Sequence, residues 1–345
     1  MKRLASFVLA WIFACGPVQA QDDRGKVNPL FAESNPVELT IKGPIRQIVR
    51  SAERSTEPRK ARIEAAGEVH DIELSARGVS RRKRENCRFP PLRIAFPAKT
   101  GKASLFHKQS RIKLVTHCRN QGSFDQVVLR EYAAYRIYNV ITPESLKVRL
   151  ARITYVDGDQ VVASRPGFFI EDADDAARRL GSKEVDIGSI PSSALEPEDA
   201  ARFALFQYMI GNTDWAMITG PDPADCCHNA KLLGERKDAR ASLTPVPYDF
   251  DNSGLVGAPY AAPNPILKVK SIKTRVYRGF CRHNSHVQAT SDRFRALWPA
   301  IEAEIRAVPD LDARSVQTML NYLGGFYRDV EDRGAVERNI LGRCR

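Results

Sequence analysis

The feature that most constrains the fold of this chain is a change in residue pattern near position 165. Before that point, short segments of alternating apolar and polar residues, bounded by glycine and proline, predict strands. After it, apolar residues recur at helical spacing. The predicted strands are 37–41, 61–65, 69–75, 92–96, 112–118, 147–156 and 160–164, and one long helix, 124–140, interrupts them. The predicted later helices are 174–180, 197–210, 291–307 and 313–327, with short strands at 230–233 and 243–247. This order of elements favours an α+β chain.

The first twenty residues have the pattern of a secretory signal peptide. Lys2 and Arg3 precede an apolar run at 4–13, and Val18 and Ala20 provide small residues for cleavage after Ala20. The run is too short to span a bilayer, and a lipoprotein signal ending at Cys15 is a weaker alternative. We therefore expect an exported chain, periplasmic or secreted, without a transmembrane anchor, and a disordered polar lead-in at 21–36.

The cysteines agree with an oxidising compartment. Seven are present, and removal of Cys15 with the signal leaves an even set. An even number in an exported chain predicts three disulfides. Cys87 and Cys118 are expected to pair, while Cys226 and Cys227 could reach Cys281 and Cys344. The alternative is a zinc site formed by Cys226, Cys227 and Cys281 together with His228, His283 and His286.

The formal net charge of +12 includes Lys2 and Arg3 of the signal. Such an excess attracts anionic partners, here a nucleotide, an acidic protein or an anionic cell-envelope component, although a solvated basic surface is an equal explanation. Nucleic acid is not expected as a partner. The densest basic run, at 81–84, has no interleaved aromatic residue and is typical of an exposed loop.

A carboxylate in the long predicted helix needs a partner. Glu131 shares a helical face with Val127, Val128 and Ala134, because offsets of three and four residues return to one side of a helix. The preceding strand carries Lys113. We expect Lys113 to pair with Glu131, with Lys108 or Arg111 as alternative partners.

Three further polar segments follow predicted elements. Asp214 follows the helix that ends at Ile210, where it could orient a hydroxyl group. Asn229 precedes a short strand, and Asp249 and Asp251 follow the next one. Carboxylate and amide oxygens are suitable ligands for Mg²⁺, and alternate residues of an extended segment point to the same side. Turn formation could explain each segment by itself.

These segments resemble two kinase families. Asn212 to Asp214, then His228-Asn229 and Tyr248-Asp249, resemble the N-x-D-x-H-x-x-N and Y-D elements of HipA-type kinases. The segment 248–254 is similar to the W-D-x-D…G element of CotH-type secretory kinases, and 77–80 resembles their R-G-x-S segment. The similarity spans roughly Arg77 to Gly254, with a long insertion between Trp215 and His228.

The resemblance implies a two-lobed protein-kinase-like fold, with a β-rich N-lobe at 37–165 that contains one long helix and a mainly helical C-lobe at 166–345. It implies ATP and Mg²⁺ or Mn²⁺ as cofactors and protein hydroxyls as acceptors of a phosphoryl group. A catalytically inactive pseudokinase that binds an anionic partner is the alternative. The implied catalytic residues are Asp214, Lys113 and Glu131; the nucleotide-binding residues are Arg77, Gly78, Lys113 and Glu171; the metal ligands are Asn229, Asp249 and Asp251.

Overall fold

The computed structural model describes residues 25–222 and 224–345. The predicted signal peptide lies outside the described residues. In the described part, seven strands close into a barrel in the order β1-β2-β3-β4-β5-β7-β6. The strands are β1 (Val37–Lys42), β2 (Arg59–Ala65), β3 (Glu68–Ala76), β4 (Leu92–Ala95), β5 (Arg111–Val115), β6 (Val148–Asp157) and β7 (Gln160–Ile170).

The barrel closes through a parallel pair. β1 lies beside β6 with Val37 opposite Ala151, and the other neighbouring strands run antiparallel. The inward positions are apolar and buried, as the alternation in β1 shows with Leu39 and Ile41. Closure leaves the sheet without a free edge, which would otherwise offer unpaired backbone groups.

The rest of the chain contains helices and a second sheet. The α-helices are α1 (Pro29–Ala32), α2 (Ile45–Ser51), α3 (Gly122–Ile141), α4 (Ala173–Arg179), α5 (Pro197–Ile210), α6 (Asn284–Ala296), α7 (Trp298–Arg306), α8 (Ala313–Asp329) and α9 (Arg333–Asn339). The second sheet has the order β10-β9-β8, with β8 (Lys183–Glu184), β9 (Ala230–Gly234) and β10 (Thr244–Pro247).

The predicted two-lobed kinase-like fold with a mainly helical C-lobe is wrong. The strands form a closed mixed barrel, and the second half of the chain includes its own sheet. Alternation of apolar residues indicates which face of a strand is buried, but it does not determine pairing between β1 and β6, which are distant in sequence.

Helix α3 is a central element of the core. It is buried along most of its length, including Leu129, Tyr132 and Ile137, and it packs against β7 as well as α7 and α8. One continuous apolar cluster joins α3 to β6, β7 and the later helices. The helix therefore connects the barrel to the rest of the molecule.

Helix α5 positions the first of the predicted site segments. Pro197 lies in its first turn, and Gly211 caps its C-terminal end with a left-handed φ of +64°. A Cβ at this glycine would lie 1.9 Å from the hydroxyl oxygen of Tyr322. Glycine is thus required here both by the backbone conformation and by the close approach.

The predicted disordered lead-in contains ordered structure. Residues 29–32 form α1, and Leu30 and Phe31 are buried against the barrel core. These apolar contacts hold the segment against the barrel, although its polar composition predicted disorder. Among the described residues, no helix is long and apolar enough to cross a membrane.

The described residues form three disulfides, as predicted. Cys87 pairs with Cys118 as expected, whereas Cys226 pairs with its neighbour Cys227. Cys281 pairs with Cys344. The expected links from Cys226 and Cys227 to Cys281 and Cys344 are therefore wrong. The alternative zinc site is wrong as well, because its cysteines are in disulfides and cannot bind zinc as thiolates. Three disulfides are consistent with an oxidising location.

Candidate functional site

The short antiparallel pair of β9 and β10 brings two predicted ligands together. Ala230 lies opposite Pro247, so Asn229 just before β9 and Asp249 just after β10 meet at the same end of the sheet. The backbone nitrogen of Tyr248 donates to the carbonyl oxygen of Asn229 at 3.1 Å. Asn229 and Asp249 have φ values of +51° and +64°, a conformation that Asn and Asp tolerate better than most residues.

Asp214 is held beside this sheet end. Its backbone nitrogen donates to Asn212 Oδ1 at 2.9 Å, and Asn229 Nδ2 donates to its carbonyl oxygen at 2.7 Å. His228 Nε2 lies 2.7 Å from Asp214 Oδ1. The insertion after Trp215 does not separate these groups, since Ala216 and His228 exchange two backbone hydrogen bonds and close it at its base.

Asp214 and His228 shift each other's proton affinity. Burial by itself would raise the pKa of Asp214, but the hydrogen bond and charge of His228 lower that pKa below its usual value. The hydrogen bond to Asp214 raises the pKa of His228, against the opposing effect of burial. Both directions favour a carboxylate beside an imidazolium.

One face of the barrel presents a row of cations. β4 and β5 pair so that Arg93 lies directly opposite Lys113, and Arg111 shares the face with Lys113. Arg77 follows the end of β3. Like charges placed opposite each other destabilise a sheet. Within the described ranges, none of these four side chains forms an ion pair.

Electrostatic repulsion is evident in this row. Burial, followed by the charge of Arg77, lowers the pKa of Lys113 to about 8. Burial and then the charges of Arg111 and Arg77 lower the pKa of Arg93. The Lys113 ammonium lies 4.9 Å from the ring centroid of Tyr248. An anion bound along this face would relieve the repulsion.

The row of cations forms one wall of a cleft of about 590 Å³. We call it the main cleft. The Arg77-Gly78 segment lies at its edge, with Gly78 at a φ of +77° and Val79 exposed. The main cleft is lined by Arg77, Gly78, Arg93, Arg111, Lys113 and Lys231, and by Asp172, Asp174, Glu184, Asp214, His228, Asn229 and Asp249. It therefore unites the predicted residues Arg77, Gly78, Lys113, Asp214, Asn229 and Asp249.

The wall facing the cations contains oxygen ligands. Within residues 25–222 and 224–345, the carboxylate of Asp249 accepts no hydrogen bond and forms no ion pair, while its backbone nitrogen donates to Tyr135 Oη at 2.8 Å. Asn229 uses its amide nitrogen toward Asp214, which leaves Oδ1 as an acceptor. Hard oxygens of this kind fit Mg²⁺ or Mn²⁺.

Asp251 lies one layer deeper. It lines a smaller neighbouring cavity together with Asp214 and Asp249, and Tyr260 Oη donates to its Oδ2 at 3.0 Å. Burial and the charge of Asp249 raise the pKa of Asp251 to about 6. The prediction that the carboxylates of Asp249 and Asp251 point to the same side assumed an extended backbone. The backbone at Asp249 is left-handed instead, so that assumption is wrong.

The predicted pair of Lys113 and Glu131 does not form. Glu131 is buried, and Arg81 Nη1 lies 3.6 Å from its Oε2 and 4.0 Å from Asp251 Oδ2. Arg81 Nη2 also donates to the carbonyl oxygen of Thr116 at 2.6 Å. Arg81 was predicted in an exposed basic loop, but it turns inward and occupies the position expected for Lys113. Burial, followed by Asp251, raises the pKa of Glu131.

Glu171 does not reach the main cleft. It is buried, forms an ion pair with Arg179 at 2.9 Å and accepts a hydrogen bond from the backbone nitrogen of Lys147. Its neighbours Asp172 and Asp174 line the main cleft instead. Together with Glu184 they form a cluster of three carboxylates, each with an oxygen within 4.8 Å of an oxygen of the other two. These three carboxylates were not predicted as a group, although the Asp-x-Asp spacing of Asp172 and Asp174 is visible at the start of the predicted helix 174–180.

The chain was compared with known protein families, curated proteins and solved structures. No protein-family model and no curated protein matches the chain. A crystal structure of a Helicobacter pylori proinflammatory kinase, CtkA, aligns with 72% of this chain and 92% of that chain, at 11% identity and a TM-score of 0.40. Neither the CotH nor the HipA family is shown by these comparisons. The function must be inferred from the main cleft itself.

Proposed function

We propose that this chain binds a nucleoside triphosphate, ATP, with Mg²⁺ or Mn²⁺ in the main cleft and transfers the terminal phosphoryl group to a hydroxyl of an extracytoplasmic protein. The observation that carries the proposal is that cations and oxygen ligands line the same cleft. Arg77, Arg93, Arg111 and Lys113 line it together with Asp249, Asn229 and Asp214.

Each wall matches one part of the ligand. Cationic side chains suit the phosphates, and positioning together with electrostatic stabilisation accounts for most of the catalysis of phosphoryl transfer. Asp249 and Asn229 would hold the divalent cation, which neutralises phosphate charge when it is bound. Among the described residues, no carboxylate lies within ion-pair distance of these four cations, so bound phosphates would supply the missing negative charge.

Asp214 is suited to receive the acceptor. Its lowered pKa keeps the carboxylate ionised, and His228 holds one of its oxygens. The acceptor oxygen forms the new bond to phosphorus, the bridging oxygen leaves with the nucleoside diphosphate, and Asp214 receives or orients the hydroxyl proton. A purely anion-binding module would not need this group of carboxylates, so we favour the enzyme over that alternative.

Substitution of Asp249 tests the proposal. Asp249→Asn preserves size and removes the charge, so we expect transfer from γ-labelled ATP to water or to a serine peptide to fall about a hundredfold or more. Asp71→Asn, at an exposed position of the barrel, is the matched control and should retain activity. Label that transfers from α-labelled ATP instead would indicate nucleotidyl transfer.

Two results would reject the proposed enzyme. The first is equal transfer by wild type and Asp249→Asn, which would show that the activity does not use this site. The second is tight binding of ATP with Mg²⁺ without any transfer, which would support the inactive binding protein.

A further inference from the structure

A segment of the chain beside Asp214 has no role in the proposed chemistry. We call residues 264–273 the lysine segment. Asn264 Nδ2 donates to the carbonyl oxygen of Thr213 at 3.2 Å, which places the beginning of the segment directly beside Asp214. At its other end, Tyr322 Oη donates to the carbonyl oxygen of Lys273 at 3.1 Å. Both ends of the segment are therefore attached to the body of the protein.

The residues that flank the segment have further links to the site. The backbone nitrogen of Ala262 donates to Asn252 Oδ1 at 3.0 Å, and Asn252 is itself a hydrogen-bond neighbour of Asp214. Arg278 Nη1 also donates to the carbonyl oxygen of Thr213 at 2.7 Å. The chain on both sides of the lysine segment is therefore attached to the loop that carries Asp214.

The lysine segment displays unneutralised charge and an apolar side chain. Ile266 is 83% exposed, the largest value among the exposed large hydrophobic residues of the described chain. Lys268, Lys270 and Lys273 are exposed as well, and in the part of the chain that the structure describes they form no ion pair. A protein surface that combines these features beside a reactive group is suited to a partner with carboxylates and an apolar side chain.

We propose that the lysine segment docks the acceptor, and that the acceptor is an acidic polypeptide whose hydroxyl residue is flanked by Asp or Glu and by an apolar side chain. This inference rests on the proposed function, because it uses Asp214 as the group that receives the hydroxyl. A polypeptide is favoured because one flexible backbone can place a hydroxyl at Asp214, carboxylates at the lysines and an apolar side chain at Ile266.

Binding of two matched peptides tests the inference. The first carries a serine flanked by glutamates and a leucine, and the second has lysine in place of every glutamate. We expect the wild-type protein to bind the acidic peptide at least about tenfold more tightly in fluorescence anisotropy, with an affinity that falls as salt increases. The triple variant Lys268→Glu/Lys270→Glu/Lys273→Glu should reverse this preference, while its affinity for ATP with Mg²⁺ stays within about twofold.

A second triple variant controls for net charge. Lys42→Glu/Lys60→Glu/Lys99→Glu makes the same charge change at exposed positions outside the lysine segment and should keep the preference for the acidic peptide. Equal affinity of the wild type for the two peptides, or an equal loss in both triple variants, would overturn the inference. Anionic vesicles that bind as tightly as the acidic peptide would overturn the assignment of a polypeptide.

The two proposals can fail separately. Peptide binding needs no nucleotide, so its charge preference can be measured even if ATP does not bind. Absence of ATP binding would reject the proposed function, whereas ATP binding without a charge preference for peptides would reject only the docking inference.

Discussion

At the scale of single residues, the site depends on how Asp214 is held and kept ionised. Asn212 and Asn229 fix its backbone, and His228 contacts one carboxylate oxygen. A carboxylate that remains ionised while partly buried is available to orient a hydroxyl group. His228 therefore acts as a positioning residue, since it affects the acceptor only through Asp214.

The pair should make stability depend on pH in a defined window. His228 has a raised pKa, so its contribution is complete below about 6.5, the ordinary value for His, and is lost as pH rises through the raised value. Asp214 has a lowered pKa, so its contribution is present above about 3.9 and is lost as pH falls. The pair should stabilise the fold most between about pH 4 and 6.5.

Replacement of His228 tests this window. We expect His228→Gln to lower the melting temperature most near pH 5 to 6, roughly, and much less above about pH 8. The effect should be at most about 1 kcal/mol, because both side chains are more than one-third exposed. Calorimetry of the variant and of the wild type at several pH values measures this difference. A loss that is constant with pH would contradict the ion pair.

At the scale of elements, Arg81 joins three parts of the molecule. Its guanidinium contacts Glu131 of α3 and Asp251 after β10, while the Cys87–Cys118 disulfide ties the following residues to the end of β5. The Arg77-Gly78 segment at the edge of the main cleft lies a few residues before Arg81. We therefore expect the position of this segment to depend on the buried ion pairs that Arg81 forms.

Removal of Arg81 should be costly. Arg81→Met leaves two buried carboxylates without a cation, and we expect a loss of about 3–5 kcal/mol in the free energy of unfolding. The double variant Arg81→Met/Glu131→Gln should recover part of that loss. Arg62→Met breaks the exposed pair with Asp71 and should cost about 1 kcal/mol or less. Denaturant unfolding compares the three, and equal losses for Arg81→Met and Arg62→Met would disprove a buried network.

The helices and strands were predicted better than the contacts between them. The helix expected at 124–140 is α3 (Gly122–Ile141), and the strand expected at 69–75 is β3 (Glu68–Ala76). The single helix expected at 291–307 is two helices, because Pro299 near the start of α7 cannot donate a backbone hydrogen bond. Local periodicity carries this information, whereas the contact of Arg81 with Glu131 depends on how a loop folds inward.

At the scale of the whole molecule, the barrel and the second sheet each supply one wall of the main cleft. Arg93, Arg111 and Lys113 come from β4 and β5, and Arg77 follows the end of β3. The oxygen ligands come from the loops after α5, before β9 and after β10. Lys113, Asp214, Asn229 and Asp249 could be predicted from residue type and position relative to predicted elements. Arg93 was not predicted in the site, and Arg111 was named only as an alternative partner of Glu131, because their shared face becomes evident only from the pairing of β4 with β5.

The fold prediction was wrong for the same reason, namely that the pairing of strands was not known. Closure of the barrel depends on pairing between β1 and β6, and no local pattern specifies that pairing. The ligand residues were nevertheless predicted together, because strand ends determine where loops begin. A candidate site could thus be proposed without the correct architecture.

The most direct measurement of the central claim is the linkage between metal and nucleotide binding. If one cleft holds both, calorimetric titration should show that Mg²⁺ or Mn²⁺ tightens ATP binding, that ATP tightens metal binding by the same factor, and that Asp249→Asn abolishes this coupling. Lys113→Met should weaken ATP binding itself, and Lys60→Met should have no effect. ATP affinity that is unchanged by the metal, by Asp249→Asn and by Lys113→Met would contradict the account.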